Sequence, residues 1–186
     1  MKAFRLSLVL VAVCCLLVGS VPMSAHSPAA SLSFATSCSA RASSFMAINK
    51  KGMSAATENE LAQARRATAR YHDIEEALAD GYENFNLYVP GEGFHYVKFS
   101  LIDGTFDPSQ PEMLLYSPVP GEDRLELAGV EYLVPLSASP EAPSGFTGDA
   151  DQWRMDAEGF GLWELNAWIW MHNPEGMFAH DNPRVP

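Results

Sequence analysis

The sequence predicts an α+β domain in which an antiparallel sheet of about four strands packs against one long N-terminal helix. Three observations carry this expectation. Apolar residues recur every three or four positions from Leu61 to Leu78, four later stretches are rich in aromatic and β-branched residues, and Pro- and Gly-rich segments separate them.

Each element has its own signal. Thr57 and Glu60 have the spacing of a capping box, so the helix is expected to start at Thr57. Its buried stripe is Leu61, Ala64, Ala67, Tyr71, Ile74 and Leu78, and Gly81 follows as the residue that ends it. The expected strands are residues 94–102, 113–117, 124–134 and 161–171, the last being the most apolar. Residues 117–123 contain Pro118, Pro120 and Gly121 and suit a hairpin connection. Residues 137–151, full of Pro, Gly, Ser and acids, form a surface loop placed to overhang a site.

The chain has 186 residues, enough for one ordinary core and not for two large ones. Its organisation is expected to be a signal peptide over residues 1–25, a flexible Ala/Ser-rich spacer over 26–56, and a single domain over 57–186. Lys2 and Arg5 precede an apolar run that ends in small residues before Ala25, the layout of a secretory signal. The run is short of the roughly 20 apolar residues that span a bilayer. The protein is therefore expected to work outside the cytoplasm, in the periplasm or secreted, without a transmembrane segment after processing. A lipid anchor on Cys14 or Cys15 is disfavoured, because no small residue stands just before them.

Removal of residues 1–25 leaves Cys38 alone of three cysteines, so packing and not an intramolecular disulfide must hold the fold. With 12 Lys and Arg against 23 Asp and Glu the net charge is −11, and losing Lys2 and Arg5 brings it to −13. Such a charge excludes nucleic acid as a partner, because phosphate binding needs clustered cations, and it disfavours anionic membranes.

Chemistry is legible where the strand pattern is broken. By period two, His95 shares a face with Val97, Phe99 and Leu101; Glu131 with Leu125, Leu127 and Leu133; and Glu164 and Asn166 with Leu162, Trp168 and Trp170, with His172 following on that side. A carboxylate in apolar surroundings needs a hydrogen bond, a counter-charge or a metal. His95, Glu131, Asn166 and His72 are thus the candidate ligand-binding residues, and His95, Glu131 and His172 the candidate ligands of a divalent metal ion. His72 sits beside the helix stripe, and His172 opens the turn sequence Asn173-Pro174-Glu175-Gly176. For each residue there is also a purely structural account: His95 as a satisfied core histidine, His72 paired with Glu76, His172 capping a strand end.

Other signatures are missing. The chain has no GxxxxGK[ST], GxSxG, HExxH or CxxC, and the acids from Asp149 onward lack the Gly and Glu that an EF-hand requires.

Tyr71-His72-Asp73, Ala79-Asp80-Gly81-Tyr82, His95-Tyr96-Val97, Val130-Glu131-Tyr132-Leu133-Val134-Pro135, Asn173-Pro174-Glu175-Gly176-Met177-Phe178 and Asn182-Pro183-Arg184-Val185 stand in this order. In this pattern the chain resembles a family of small secreted bacterial proteins of unknown function, over about residues 60–185. The resemblance implies a shared exported domain and no particular activity. In that family's pattern a His stands where this chain has Asn166, and a Cys follows the last Asn-Pro segment. If the His belongs to a metal set with His95 and Glu131, Asn166 implies weaker binding here, because an amide is a poor ligand for zinc or copper.

Three functions fit these residues. The first is an exported binding domain with a small polar ligand or a divalent metal on the sheet face. The second is an enzyme with Glu131 as general base and His95 as acid or ligand. The third is a structural or interaction domain without a small-molecule site.

Overall fold

The computed structural model describes residues 53–155 and 159–186. The expected signal peptide and all but the end of the expected spacer lie outside the described residues. The end of that spacer is already helical: α1 runs Ala55–Thr68 and is capped by Ser54, whose hydroxyl accepts from Thr57 N at 3.1 Å. Thr57 and Glu60 therefore form no capping box. Thr57 donates its hydroxyl to Thr147 O, and the Glu60 carboxylate accepts from Thr147 N at 2.7 Å, so both fasten the loop after β4 to the first turns of α1.

The expected single long helix is three pieces: α1, a 3-10 turn Ala69–His72, and α2, Ile74–Ala79. Two side chains explain the break. Buried Thr68 turns its hydroxyl back to Ala64 O at 2.8 Å and accepts from Trp170 Nε1 at 3.1 Å. Asp73 leaves helical geometry and caps α2 by accepting from Glu75 N at 3.1 Å, a role short acidic side chains fill better than a helix interior. The phase of the stripe shifts accordingly. Ala77 is buried and Leu78 is 42% exposed, the reverse of the unbroken stripe. Gly81, at φ +92°, ends α2 as expected: its N–H donates to Leu78 O and Tyr82 N to Ala77 O.

The sheet is antiparallel, as expected, but has six strands and not four. They are β1 (Glu83–Val89), β2 (Gly93–Val97), β3 (Met113–Pro118), β4 (Leu125–Pro135), β5 (Arg154–Met155) and β6 (Leu162–Ala167), in the order β1-β2-β3-β4-β6-β5. The first expected strand ends early, at Val97, where a 3-10 turn Phe99–Leu101 follows. The last ends at Ala167.

One face of the sheet packs against the helices through Tyr96, Leu114, Tyr116, Val130, Tyr132 and Leu165. Buried tyrosines need partners for their hydroxyls, and Tyr116 donates to Tyr71 O at 2.6 Å and Tyr132 to Pro108 O at 2.9 Å. The other face carries Val97, Met113, Leu115 and Leu133, which cluster with Trp168 and Val185 and have Phe85 and Leu162 packed against them. A register shift in the β3–β4 pairing places Leu127 on the helix side, so neither Leu125 nor Leu127 shares the face of Glu131. Trp170 also lies on the helix side, beyond the end of β6.

Candidate functional site

The polar residues of the covered face come together through strand register. His95 pairs with Leu115, Val97 with Met113, Met113 with Glu131, and Glu131 with Asn166; Leu133 pairs with Glu164. Residues directly opposite in an antiparallel ladder point to the same face. His95, Glu131, Glu164 and Asn166 therefore share one side of the sheet, and all four are buried.

The turn between β1 and β2 adds a further acid. Glu92 N donates to Val89 O at 3.0 Å with Gly91 at φ +88°, so Pro90 and Gly91 occupy the middle of a type II turn. Gly93 follows at φ +94°, and a Cβ there would lie 2.3 Å from Tyr116 O. This geometry folds the Glu92 side chain inward until 2% of the residue is exposed.

The C-terminal segment closes the site from the other direction. Three consecutive carbonyls are held by buried side chains: Trp168 Nε1 donates to Ala179 O at 2.6 Å, Asn166 Nδ2 to His180 O at 2.8 Å, and Asn173 Nδ2 to Asp181 O at 2.8 Å. Asn182 N donates to Gly91 O at 2.8 Å, which ties the segment to the β1–β2 turn.

The outcome is a line of alternating carboxylates and imidazoles. His95 Nε2 is 3.9 Å from Glu131 Oε2 and 3.0 Å from Glu92 Oε2. The other oxygen of Glu92 is 2.5 Å from His180 Nε2, which is 3.7 Å from Asp181 Oδ1. Burial falls along this line, from Glu131, His95 and Glu92 inside to Asp181 at the surface, whose side chain is 63% exposed. His95 Nδ1 and Asn166 Oδ1 are buried with no hydrogen-bond partner among the described residues. Beside the inner end, Glu92, His95, Glu131 and Glu164 line a cavity of about 20 Å³ walled by Phe85, Phe160 and other apolar side chains.

No family model, curated protein or solved structure matches this chain.

Of the residues expected from the sequence, His95 and Glu131 meet, and Asn166 stands between Glu131 and the His180 carbonyl. His72 lies elsewhere: it is exposed, its ring edge-on to Trp170 at 4.4 Å on the helix side. His172 is half-buried in the C-terminal segment, where its carbonyl accepts from Asn182 Nδ2 at 3.4 Å. Among the described residues, the set of three whose potential ligand atoms all lie within 4.8 Å of one another is Glu92, His180 and Asp181. Sequence reasoning passed over all three. The signal for Glu92 was its position between two glycines in Pro90-Gly91-Glu92-Gly93; that for the others was the pair His180-Asp181 directly before a turn-forming Asn182-Pro183.

A second buried acid lies apart from this line. Glu112, just before β3, is 1% exposed, and burial pushes its carboxyl up to about 8 even though Oε2 accepts from Leu133 N at 3.1 Å.

Proposed function

We propose that the protein is an exported domain that binds one divalent metal ion between Glu92, His180 and Asp181, with His95 orienting Glu92 and Asn166 positioning His180. The observation that carries this reading is the convergence of one imidazole nitrogen and two carboxylate oxygens within 4.8 Å, with a buried imidazole behind the first carboxylate. Mixed nitrogen and oxygen sets of this kind suit zinc and its first-row neighbours. Ligating carboxylates are commonly oriented by a hydrogen bond from behind, as His95 would supply to Glu92.

Ligand atoms about 2.1 Å from a tetrahedral ion lie about 3.4 Å apart. The His180–Asp181 separation of 3.7 Å already suits this, whereas the 2.5 Å between His180 and Glu92 must open by about 1 Å. His180 sits on an accessible loop and Glu92 inside a tight turn, so the opening falls to the His180 ring.

At the inner end of the line the cavity of about 20 Å³ has room for one water-sized guest and not for an organic ligand. The same volume argues against His95 and Glu131 working directly on a substrate, since the enzymatic reading needs an open cleft beside them. Export rests on the N-terminal sequence, and mass spectrometry of the mature protein should place its first residue near His26.

Calorimetric titration of chelator-treated protein with Zn²⁺ and Mn²⁺ tests the site. One ion should bind per chain, His180→Ala and Glu92→Gln should abolish measurable binding, and His95→Gln should weaken it about 10- to 100-fold. Unchanged titrations in His180→Ala would refute the assignment.

A further inference from the structure

A second cavity lies on the helix side of the molecule, lined by none of the residues of the carboxylate–imidazole line. It measures about 480 Å³ and lies between α1, the end of α2 and the end of β2. Its charged lining is Arg66, Arg70 and Lys98 against a single carboxylate, Asp80. The described residues contain seven Lys and Arg, so nearly half of them converge on one cavity in a chain of net charge −11. Elsewhere Arg65 donates to Ile169 O and Arg124 pairs with Glu122.

The internal pairing leaves donors to spare. Asp80 Oδ2 accepts from Tyr71 OH, from Arg70 Nη2 at 2.8 Å and from Lys98 Nζ at 3.1 Å. These bonds, that of the Tyr71 hydroxyl first, hold the Asp80 carboxyl below its ordinary range, so it stays ionised and keeps both cations in place. Arg70 engages only Nη2 among the described residues, although a guanidinium offers five N–H donors and an ammonium three. Arg66 forms no salt bridge among the described residues. The aromatic walls are Tyr71 and Tyr82, edge to face at 5.1 Å, with Arg70 4.7 Å from the first ring and Lys98 5.6 Å from the second.

We propose that this cavity binds a small organic oxyanion, a phosphate or carboxylate, whose charged head meets Arg66, Arg70 and Lys98 and whose body lies against Tyr71 and Tyr82. Arginine forks match the two oxygens of such heads, and a concave wall with three cations against one carboxylate, within an acidic molecule, concentrates anions there. Asp80 serves as the internal counter-ion that preorganises two of the three cations and leaves the third unneutralised.

Titration of the full chain with phenyl phosphate, followed by calorimetry in the presence of EDTA, tests this independently of any metal at Glu92. Saturable binding near about 1 mM is expected. Arg66→Ala, which alters an exposed side chain on α1, should weaken it about tenfold, Lys98→Ala should weaken it at least as much, and His180→Ala should leave it unchanged. Inorganic phosphate should bind more weakly than phenyl phosphate, and added salt should weaken both. Absence of saturation by about 10 mM, or equal affinity in Arg66→Ala, would overturn the proposal.

Discussion

Glu112 and Gly93 show single positions constrained in opposite ways. The Glu112 carboxyl is raised to about 8 chiefly by burial, so the fold favours its neutral form. Its contribution to stability is therefore complete below the ordinary carboxylate value of 4.5 and is lost as pH rises through about 8. Glu112→Gln keeps the shape without the ionisation. Thermal melts should show the variant gaining stability relative to the parent between pH 5 and pH 9; parallel curves would contradict the assignment. Gly93 is restricted by space: with φ at +94° and a Cβ position 2.3 Å from Tyr116 O, Gly93→Ala should cost about 3 kcal/mol or more in denaturant unfolding. At this scale the sequence was partly readable. His95 and Glu131 stood out because each interrupts an apolar alternation, and register then brings them within 3.9 Å. Glu92, His180 and Asp181 lie in turns and termini, where charged residues are unremarkable, and only tertiary closure reveals them.

At the scale of elements, the helical region shows how local polar chemistry overrides a periodic stripe. The spacing from Leu61 to Leu78 satisfies one continuous helix, yet Thr68 and Asp73 divide it and rotate Ala77 inward in place of Leu78. Asp73→Ala removes the cap of α2 and should destabilise the domain by about 1 kcal/mol, read as a lower unfolding midpoint at unchanged slope. A midpoint equal to the parent's would mean that the cap contributes nothing. The strands absent from the sequence reading have physical reasons too. β1 alternates Phe85, Leu87 and Val89 with polar partners, but Asn84 and Asn86 are poor strand formers, and Asn86 adopts φ +56° at an irregularity in the β1–β2 pairing. β5 is two exposed residues at the sheet edge and carries no hydrophobic signal.

For the whole molecule, the α+β class and the antiparallel sheet were legible because apolar runs and Pro/Gly breaks reflect solvent exclusion directly. What the pattern did not contain was the use of the second sheet face. A sheet with helices on one side leaves its other side to be covered, and here the C-terminal segment does so, with Trp168, Asn166 and Asn173 holding three successive carbonyls. That closure brings His180 to Glu92 and turns buried strand residues into the back of a candidate metal site. Anomalous diffraction from crystals soaked in Zn²⁺ examines this most directly. The account predicts a single strong peak about 2.0–2.2 Å from Glu92 Oε1, His180 Nε2 and Asp181 Oδ1. Full soaking with no peak there, or with the peak held by other residues, would contradict it.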